Sequence, residues 1–383
     1  MLIRGIGISI FCFEFSAAKD GFIMNIKKQI ERLYASSVLA QISLSGAWVA
    51  ILSARGFSLA QIGFAETVFH IVSILFEIPS GILADVFGRK KTLLLSCAMR
   101  IVGNVVMVMS NSFAMVCASI ALHALSYNFS SGSGDALAYD SLKLAGKESR
   151  FEKYGSNQLI IYRACEGLST LLAGFSLFIG YRLAYSSGIV LAIAQGTVLA
   201  GLCEVRFGET KKIEFRKEVA KCFRESFIFL KKERKAMRLM FANSFAGALD
   251  ILLLFFLQAK LPMAGIPNWL LGAALLFMQA GGIFGAKAIL KAGRARYRAV
   301  FIACLSAIMF ALALEHTALY PLMTLGGFIA AFADDALQAR TDSLLHEMFP
   351  SEQRATLVSI ESFTFSVIMI VLSPLAGIFF AAW

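Results

Sequence analysis

The sequence predicts an all-α polytopic membrane protein of eleven transmembrane helices, arranged as two parallel six-helix repeats with the second truncated. Three observations lead there. Of 383 residues, 58% are hydrophobic and 16% charged, with 34 Phe against 6 Pro and a mean hydropathy of +0.72. A soluble domain keeps about 25% charged residues for its wet surface, so this composition excludes an ordinary globular enzyme. The apolar residues fall in stretches of about 20, the helix length that crosses a hydrocarbon core of roughly 30 Å. Finally, every second polar break between these stretches is basic, as cytoplasmic loops are.

The first element is an N-terminal extension, 1–29. Its apolar run from Gly5 to Phe13 is too short to span and is followed by Glu14, Lys19 and Asp20. Glu14 at the end of that run also argues against a secretory signal. Met24-Asn25-Ile26-Lys27-Lys28 reads better as a start, so 1–23 is expected to be disordered or an upstream extension.

Spanning helices are expected at 33–53, 59–83, 92–110, 113–142, 157–179 and 182–203, a six-helix half over 30–203. Five more, at 238–259, 267–290, 299–314, 317–343 and 355–381, make a half over 238–383. Lys27, Lys28 and Arg32 precede the first helix; Arg89, Lys90 and Lys91 separate the second and third; Lys143, Lys147, Arg150 and Lys153 follow the fourth. The stretch from Arg206 to Arg238 holds a dozen Lys and Arg, and Lys287, Lys291, Arg294, Arg296 and Arg298 follow the eighth helix. The intervening loops carry only Arg55, Arg182 and Lys260. The basic loops are therefore cytoplasmic and the N-terminus is inside. The net charge of +11 is then a topology signal of a multi-pass protein of the cell (inner) membrane, with no nucleic acid implied. Between the halves, 204–237 interleaves Glu and Lys around Phe215, Phe223, Phe227 and Phe229, a basic cytoplasmic linker whose amphipathic helix lies on anionic lipid.

Internal repeats support the two halves. Gly56 to Gly63, entering the second helix, recurs as Gly265 to Gly272, entering the eighth; Asp135-Ala136-Leu137 recurs as Asp335-Ala336-Leu337; Leu172-Ala173-Gly174 recurs as Leu375-Ala376-Gly377. The order and helix positions match in both halves. At the same spacing, a counterpart of 182–203 falls beyond Trp383, so the chain is expected to end after its eleventh helix with the C-terminus outside.

Gly81-Ile82-Leu83-Ala84-Asp85-Val86-Phe87-Gly88-Arg89-Lys90-Lys91 joins the second and third helices. Here the chain resembles the major facilitator superfamily, of bacterial type, whose signature in that loop is a glycine, an acid four residues later, a glycine three beyond, then Arg or Lys. The resemblance runs from about residue 30 to the end. It implies six-helix repeats of the major facilitator type, with helices 1, 4, 7 and 10 lining a substrate path and 2, 5, 8 and 11 joining the halves. Physically, the glycines permit a tight reversal and Asp85 is placed to meet the positive end of another helix. The expected partner is the last helix, so Gly81, Asp85, Gly88, Arg89, Lys90 and Arg354 form the expected gating motif. A static loop of topogenic charges is the alternative. The second-half copy, Gly285 to Arg294, lacks the acid, which makes any clamp asymmetric.

Ionisable groups inside membrane segments are costly and face a cavity or a partner. Counting along each helix puts Glu66 and His70, Arg163 and Glu166, and Asp250 nearest the midplane. Each pair shares a helix face. By the resemblance, Asp250 faces the cavity more deeply than Asp334 and Asp335. The candidate substrate or proton residues are therefore Asp250, Glu66, His70, Arg163, Glu166 and Asp335. Against these stand a structural hydrogen bond at Asp250, a structural ion pair for Arg163 with Glu166, and a plain interior His70. Arg100 calls for a carboxylate neighbour that the sequence does not name. Asp135, Asp140, Arg340 and Asp342 suit gate or packing roles, and Glu361 an interface. Ser130-Ser131-Gly132-Ser133-Gly134 is read as a close-packing seam, with local unwinding as the alternative. Gln41, Ser43, Ser45, Trp48, Asn243, Phe245 and Gln279 offer neutral polar or stacking contacts to an amphipathic organic solute.

The seven Cys show no CxxC pairing, and no nucleotide, zinc-protease or nucleophile-elbow motif is present. No metal or cofactor is expected, and the protein is not expected to be an enzyme. The reading is a monomeric secondary active transporter, moving a small organic solute by alternating access with a proton as coupling ion. Neither the glycine-proline motif of drug antiporters nor sugar-porter signatures appear. The alternatives are a membrane-embedded enzyme using Glu66, His70 and Glu166, and a transport-inactive sensor, scaffold or truncated pseudo-transporter.

Overall fold

The computed structural model describes residues 25–205, 233–291, 295–348 and 354–382. Among them regular structure is helical throughout. Asn25 caps α1 (Ile26–Gln41), accepting from the Lys27 and Lys28 amides at 3.0 and 3.3 Å. The expected 33–53 helix is not continuous: residues 42–47 are unwound and a short α2 (Trp48–Ala54) resumes the path. Ser43, Ser45 and Gly46 crowd this stretch, and such residues give the backbone other hydrogen bonds or extra freedom. Ser58 and Gln61 exchange hydrogen bonds at 2.9 and 3.2 Å, a capping box that opens α3 (Leu59–Phe87). Gly88, at φ +105, turns the chain directly into α4 (Arg89–Met109).

The single helix expected over 113–142 is divided into α5 (Phe113–Ser130) and α6 (Ser133–Leu144). The close-packing reading of the Ser/Gly run is corrected here. Gly132 sits at φ +69, and a Cβ on Gly132 or Gly134 would meet nothing within 4 Å, so the run unwinds rather than packs. A 3-10 turn (Glu148–Arg150) leads to α7 (Phe151–Leu171), and a break at Leu172 separates it from α8 (Ala173–Ile179). Then follow α9 (Tyr181–Ala200), α10 (Arg234–Met263), α11 (Asn268–Lys291), α12 (Tyr297–Glu315), α13 (Tyr320–Met348) and α14 (Arg354–Ala381). The extension 1–23 and the amphipathic linker helix lie outside the described residues.

Among the described residues, eight helices are long and apolar enough to cross a membrane: α3, α4, the α5–α6 stretch, α9, α10, α11, α12, and α14 from Ile360. The α1–α2 path, the α7–α8 path and α13 are not among them. The first two are interrupted, the second also carries Arg163 and Glu166, and the third carries Asp334 and Asp335.

By contacts the chain divides into two compact units. Among the described residues the first comprises 25–43, 75–168 and 182–205 and the second 44–74, 169–181 and those from 233 onward, so α2, α8 and the first half of α3 group with the second sequence half. In the first unit Leu33, Leu93, Leu137, Tyr154 and Leu199 share one buried cluster. Several polar groups there are paired off, as lipid demands. The Gln29 amide bridges both backbone groups of Cys203 at 2.8 and 3.0 Å, and Ser96 Oγ donates to the Ser126 carbonyl at 2.7 Å. In the second unit α11 and α13 touch through glycines: a Cβ on Gly281 or Gly285 would fall on the Phe328 or Phe332 carbonyl oxygen. Small residues let helix backbones approach where lipid gives no hydrophobic drive for packing.

Candidate functional site

The acidic candidates other than Glu166 gather in the second unit. α10 presents Gly247 and Asp250 on one face, and Asp334 of α13 rests its Oδ1 where a Gly247 side chain would begin, 3.3 Å away. Asp335, the next residue, lies against Gly282 of α11. Asp250 and Asp334 are buried, and Asp250 Oδ1 has no hydrogen-bond partner among the described residues. The charges that act on Asp250 are those of Asp334 and Asp335, both acidic. Because α13 runs on to Met348, Asp334 and Asp335 sit at its middle, as Asp250 does in α10, rather than shallower. Two buried carboxylates that face like charge in an apolar span are costly to place there, which marks them as candidates for function.

Glu66 and His70 face each other as their spacing requires, with His70 Nε2 3.2 Å from Glu66 Oε1 in a buried setting. The other ring nitrogen, Nδ1, meets Ser366 Oγ of α14 at 3.2 Å. The imidazole is thus held between a carboxylate and a hydroxyl, with Phe365 edge-on at 5.7 Å between centroids. One further polar tie joins α10 to α14, Asn243 Nδ2 donating to Glu361 Oε1 at 3.0 Å. Arg163 and Glu166 do pair, at 3.3 Å, but the Arg163 side chain is 66% exposed, so in the first unit this pair is open rather than embedded.

The Gly81–Lys91 motif makes its described contacts within the first unit. Arg89 pairs with Asp140 of α6 and donates to the Ala136 carbonyl at 2.9 Å. Glu204, beyond α9, accepts from the Arg89 and Lys90 amides at 3.0 and 2.9 Å and so caps the start of α4, whose own N-cap residue Gly88 has no side chain to do so. Asp85 is exposed, and the Arg354 side chain lies outside the described residues.

Three functional groupings were not read from the sequence. Glu204 was assigned to the linker; nothing in its surroundings marks a cap 115 residues distant. Arg100 needs no carboxylate: it donates to the Ala40 and Leu39 carbonyls at 2.9 and 3.3 Å and to Gln195 Oε1 at 2.7 Å. Those carbonyls are freed because α1 stops at Gln41, and a cation suits that helix end. Lys260 is not a loop residue; it lies in α10, buried, 3.5 Å from Glu315, which is also 3.0 Å from His316. The approach of Lys260 in α10 to Glu315 in α12 has no local signature.

Two spaces adjoin these groups in the second unit. A cavity of 40 Å³ lies where Gly46 and Ala47 of the unwound stretch, Thr170 and Ala173 around the Leu172 break, and Gln258 and Gln279 converge. Gln258 Oε1 is buried there without a hydrogen-bond partner among the described residues, and the space and polar lining suit one water. The other is an apolar groove of 580 Å³ between α10, α12 and α14, edged by His316.

The sequence profile of the Major Facilitator Superfamily matches residues 33–318. No curated protein sequence matches the chain. Among solved structures, a mutant of the nucleoside transporter NupG is 16% identical with a TM-score of 0.69, over 92% of this chain and 96% of that one. A mutant of the peptide transporter POT is 13% identical with a TM-score of 0.68, over 92% and 90%. A D-xylose-proton symporter is 13% identical with a TM-score of 0.59, over 96% and 89%. At such identities the likeness is one of fold. With the profile spanning most of its length and an all-helical membrane architecture beneath it, the chain belongs to the Major Facilitator Superfamily.

Proposed function

We propose that this chain is a secondary active transporter that moves a small organic solute by alternating access with protons as the coupling ion. The observation that carries the reading is the carboxylate group Asp250, Asp334 and Asp335. Asp250 and Asp334 are buried, Asp250 is flanked by like charge, and the group lies midway along α10 and α13. Groups so placed take up and release protons as their access to water changes, which is the chemistry of coupling. Glu66, His70 and Ser366 form a second protonatable group, and the exposed Arg163–Glu166 pair suits solute contact. That one similar structure is a D-xylose-proton symporter favours the proton.

The same reading takes the chain as eleven spanning helices in two parallel repeats with the N-terminus cytoplasmic. Its basic linker rests on anionic lipid, and it works as a monomer. Gly81, Asp85, Gly88, Arg89, Lys90 and Arg354 form the cytoplasmic gate.

Uptake of a labelled solute library into proteoliposomes, with and without an inward proton gradient, tests the reading. Gradient-driven accumulation of at least one solute is expected. Asp250→Asn should reduce it at least tenfold while leaving solute exchange. No uptake of any solute under either condition rejects transport, whereas wild-type accumulation by Asp250→Asn makes that carboxylate structural. Asp85→Asn should insert normally, slow uptake and raise cysteine accessibility on the cytoplasmic side. Full uptake with unchanged accessibility rejects the gate.

A further inference from the structure

Helix α7 presents three faces with different surroundings. One is packed: Tyr154 is buried in the cluster that holds Leu137 and Leu199. A second, carrying Ile160, Leu168 and Leu171 at helical spacing, is open and apolar, as a face toward lipid is. On the third lie Leu159, Tyr162, Arg163 and Glu166, and the Arg163 side chain is 66% exposed midway along the helix. A charge that open on a membrane helix, turned away from the lipid face, borders water inside the protein.

The ion pair on that face is loose. Arg163 meets Glu166 through one nitrogen at 3.3 Å, longer than the about 2.7–2.9 Å of a tight charge-assisted bond, and its fork is built for two such bonds. The guanidinium is thereby oriented, 5.6 Å from the centre of the Tyr162 ring, yet keeps donors for a second carboxylate. The Tyr162 hydroxyl hydrogen-bonds to Glu166, and the Tyr127 hydroxyl of α5 is near enough to act on it. Tyr127 is 58% exposed, the one open residue between Ser119 and Ser130. Glu77 of α3 acts in turn on Tyr127. It is half-buried in a spanning helix, and among the described residues no cation acts on it. All five residues belong to the first unit. The series runs from a carboxylate without a counter-charge, past two aromatic rings, to a cation with spare donors.

Resting on the transport reading, we propose that Glu77, Tyr127, Tyr162 and Arg163 bind a small zwitterionic solute, its ammonium at Glu77 and its carboxylate at Arg163, with Glu166 positioning Arg163. A simple cation is repelled by Arg163 and a simple anion by Glu77, whereas a solute with both charges satisfies both ends. The open Tyr127 ring adds a cation–π face for the ammonium. Amino acids are the chemical class that carries this pair of groups on a small frame.

Binding decides this without a transport assay. The purified protein in detergent is titrated with each common amino acid, with its amide, which lacks the carboxylate, and with its N-acetyl derivative, which lacks the ammonium. Thermal shift and calorimetry read the affinity at about pH 6.5, where an α-amine is charged. At least one amino acid should bind, and its amide and N-acetyl derivative should each bind at least about tenfold more weakly, the loss expected for one charged contact. Arg163→Gln should weaken the amino acid to a similar degree while leaving its amide unchanged. Glu77→Gln should weaken the amino acid while leaving its N-acetyl derivative unchanged. Damage to the fold would instead weaken all three ligands alike, and if either variant fails to fold the wild-type comparison decides alone. Either derivative binding as tightly as its parent, or no amino acid binding to the wild type, overturns the proposal. Gradient-driven uptake of another solute would then leave the transport reading standing. Binding without uptake of any solute would reject transport and keep the site.

Discussion

Single side chains here owe their partners to backbone events elsewhere. Arg100 is the clearest case: as a lone cation in an apolar helix it calls for an acid, yet its terminal nitrogens donate to carbonyls that are free only because α1 stops at Gln41. The cation was legible and its partners were not, because the sequence marks helix breaks only weakly. Arg100→Met should leave those carbonyls and Gln195 short of a donor and cost about 2–4 kcal/mol, seen as a lower Tm in detergent. Arg100→Lys should recover only part, since an ammonium lacks the guanidinium fork; full recovery would show that charge alone suffices. Glycines give a sharper contrast. Gly174→Ala and Gly272→Ala set a methyl on a facing carbonyl and should each cost about 1–3 kcal/mol. Gly155→Ala, with nothing within 4 Å, should be neutral or raise the Tm. Equal effects at all three sites would reject the close approach as the cause.

At the scale of elements, helix starts were the most legible feature, because caps are local chemistry. The Ser58–Gln61 box and Ser112, which accepts from the Met115 amide at 3.4 Å, open helices where the apolar stretches at 59 and 113 begin, whereas Asn25 opens α1 at Ile26, ahead of the expected 33. Interruptions within apolar runs were less legible. Ile42 to Ala47 carries two serines and a glycine, residues that favour a break over a continuous helix, whereas Leu172 has no such mark. The start of α4 is the exception among caps, since its cap comes from Glu204. Glu204→Gln removes a charge facing two helix amides and should cost about 0.5–2 kcal/mol, the range for losing a cap with its dipole interaction. A thermal melt unchanged by the substitution would make that contact incidental. Glu66, His70, Arg163 and Glu166 pair as helical spacing implies, because i+3 and i+4 neighbours need no tertiary information. The burial of one pair and the exposure of the other did need it.

For the whole molecule, membrane class and family were legible from composition, basic loops and one loop motif, because lipid leaves so few architectures open. The grouping of α2 and α8 with the second half was not, since it depends on which surfaces close together. The three helical paths that fall short of the apolar standard, α1–α2, α7–α8 and α13, also bear on biogenesis. A charge at a helix centre opposes insertion by about 2.5–3.5 kcal/mol, so α13 with two adjacent aspartates gains little from lipid on its own. Its neighbours Gly247 and Gly282 belong to α10 and α11, which leave the ribosome earlier and offer the seats that receive Asp334 and Asp335. Membrane entry of α13 should therefore be conditional on its predecessors. A glycosylation reporter placed after Met348 should show α13 failing to insert when α10 and α11 are deleted. Asp334→Leu with Asp335→Leu should restore insertion. If α13 inserts equally well alone, its aspartates impose no order on synthesis. Otherwise the residues that suit the finished protein to coupling also set the sequence in which its parts reach the bilayer.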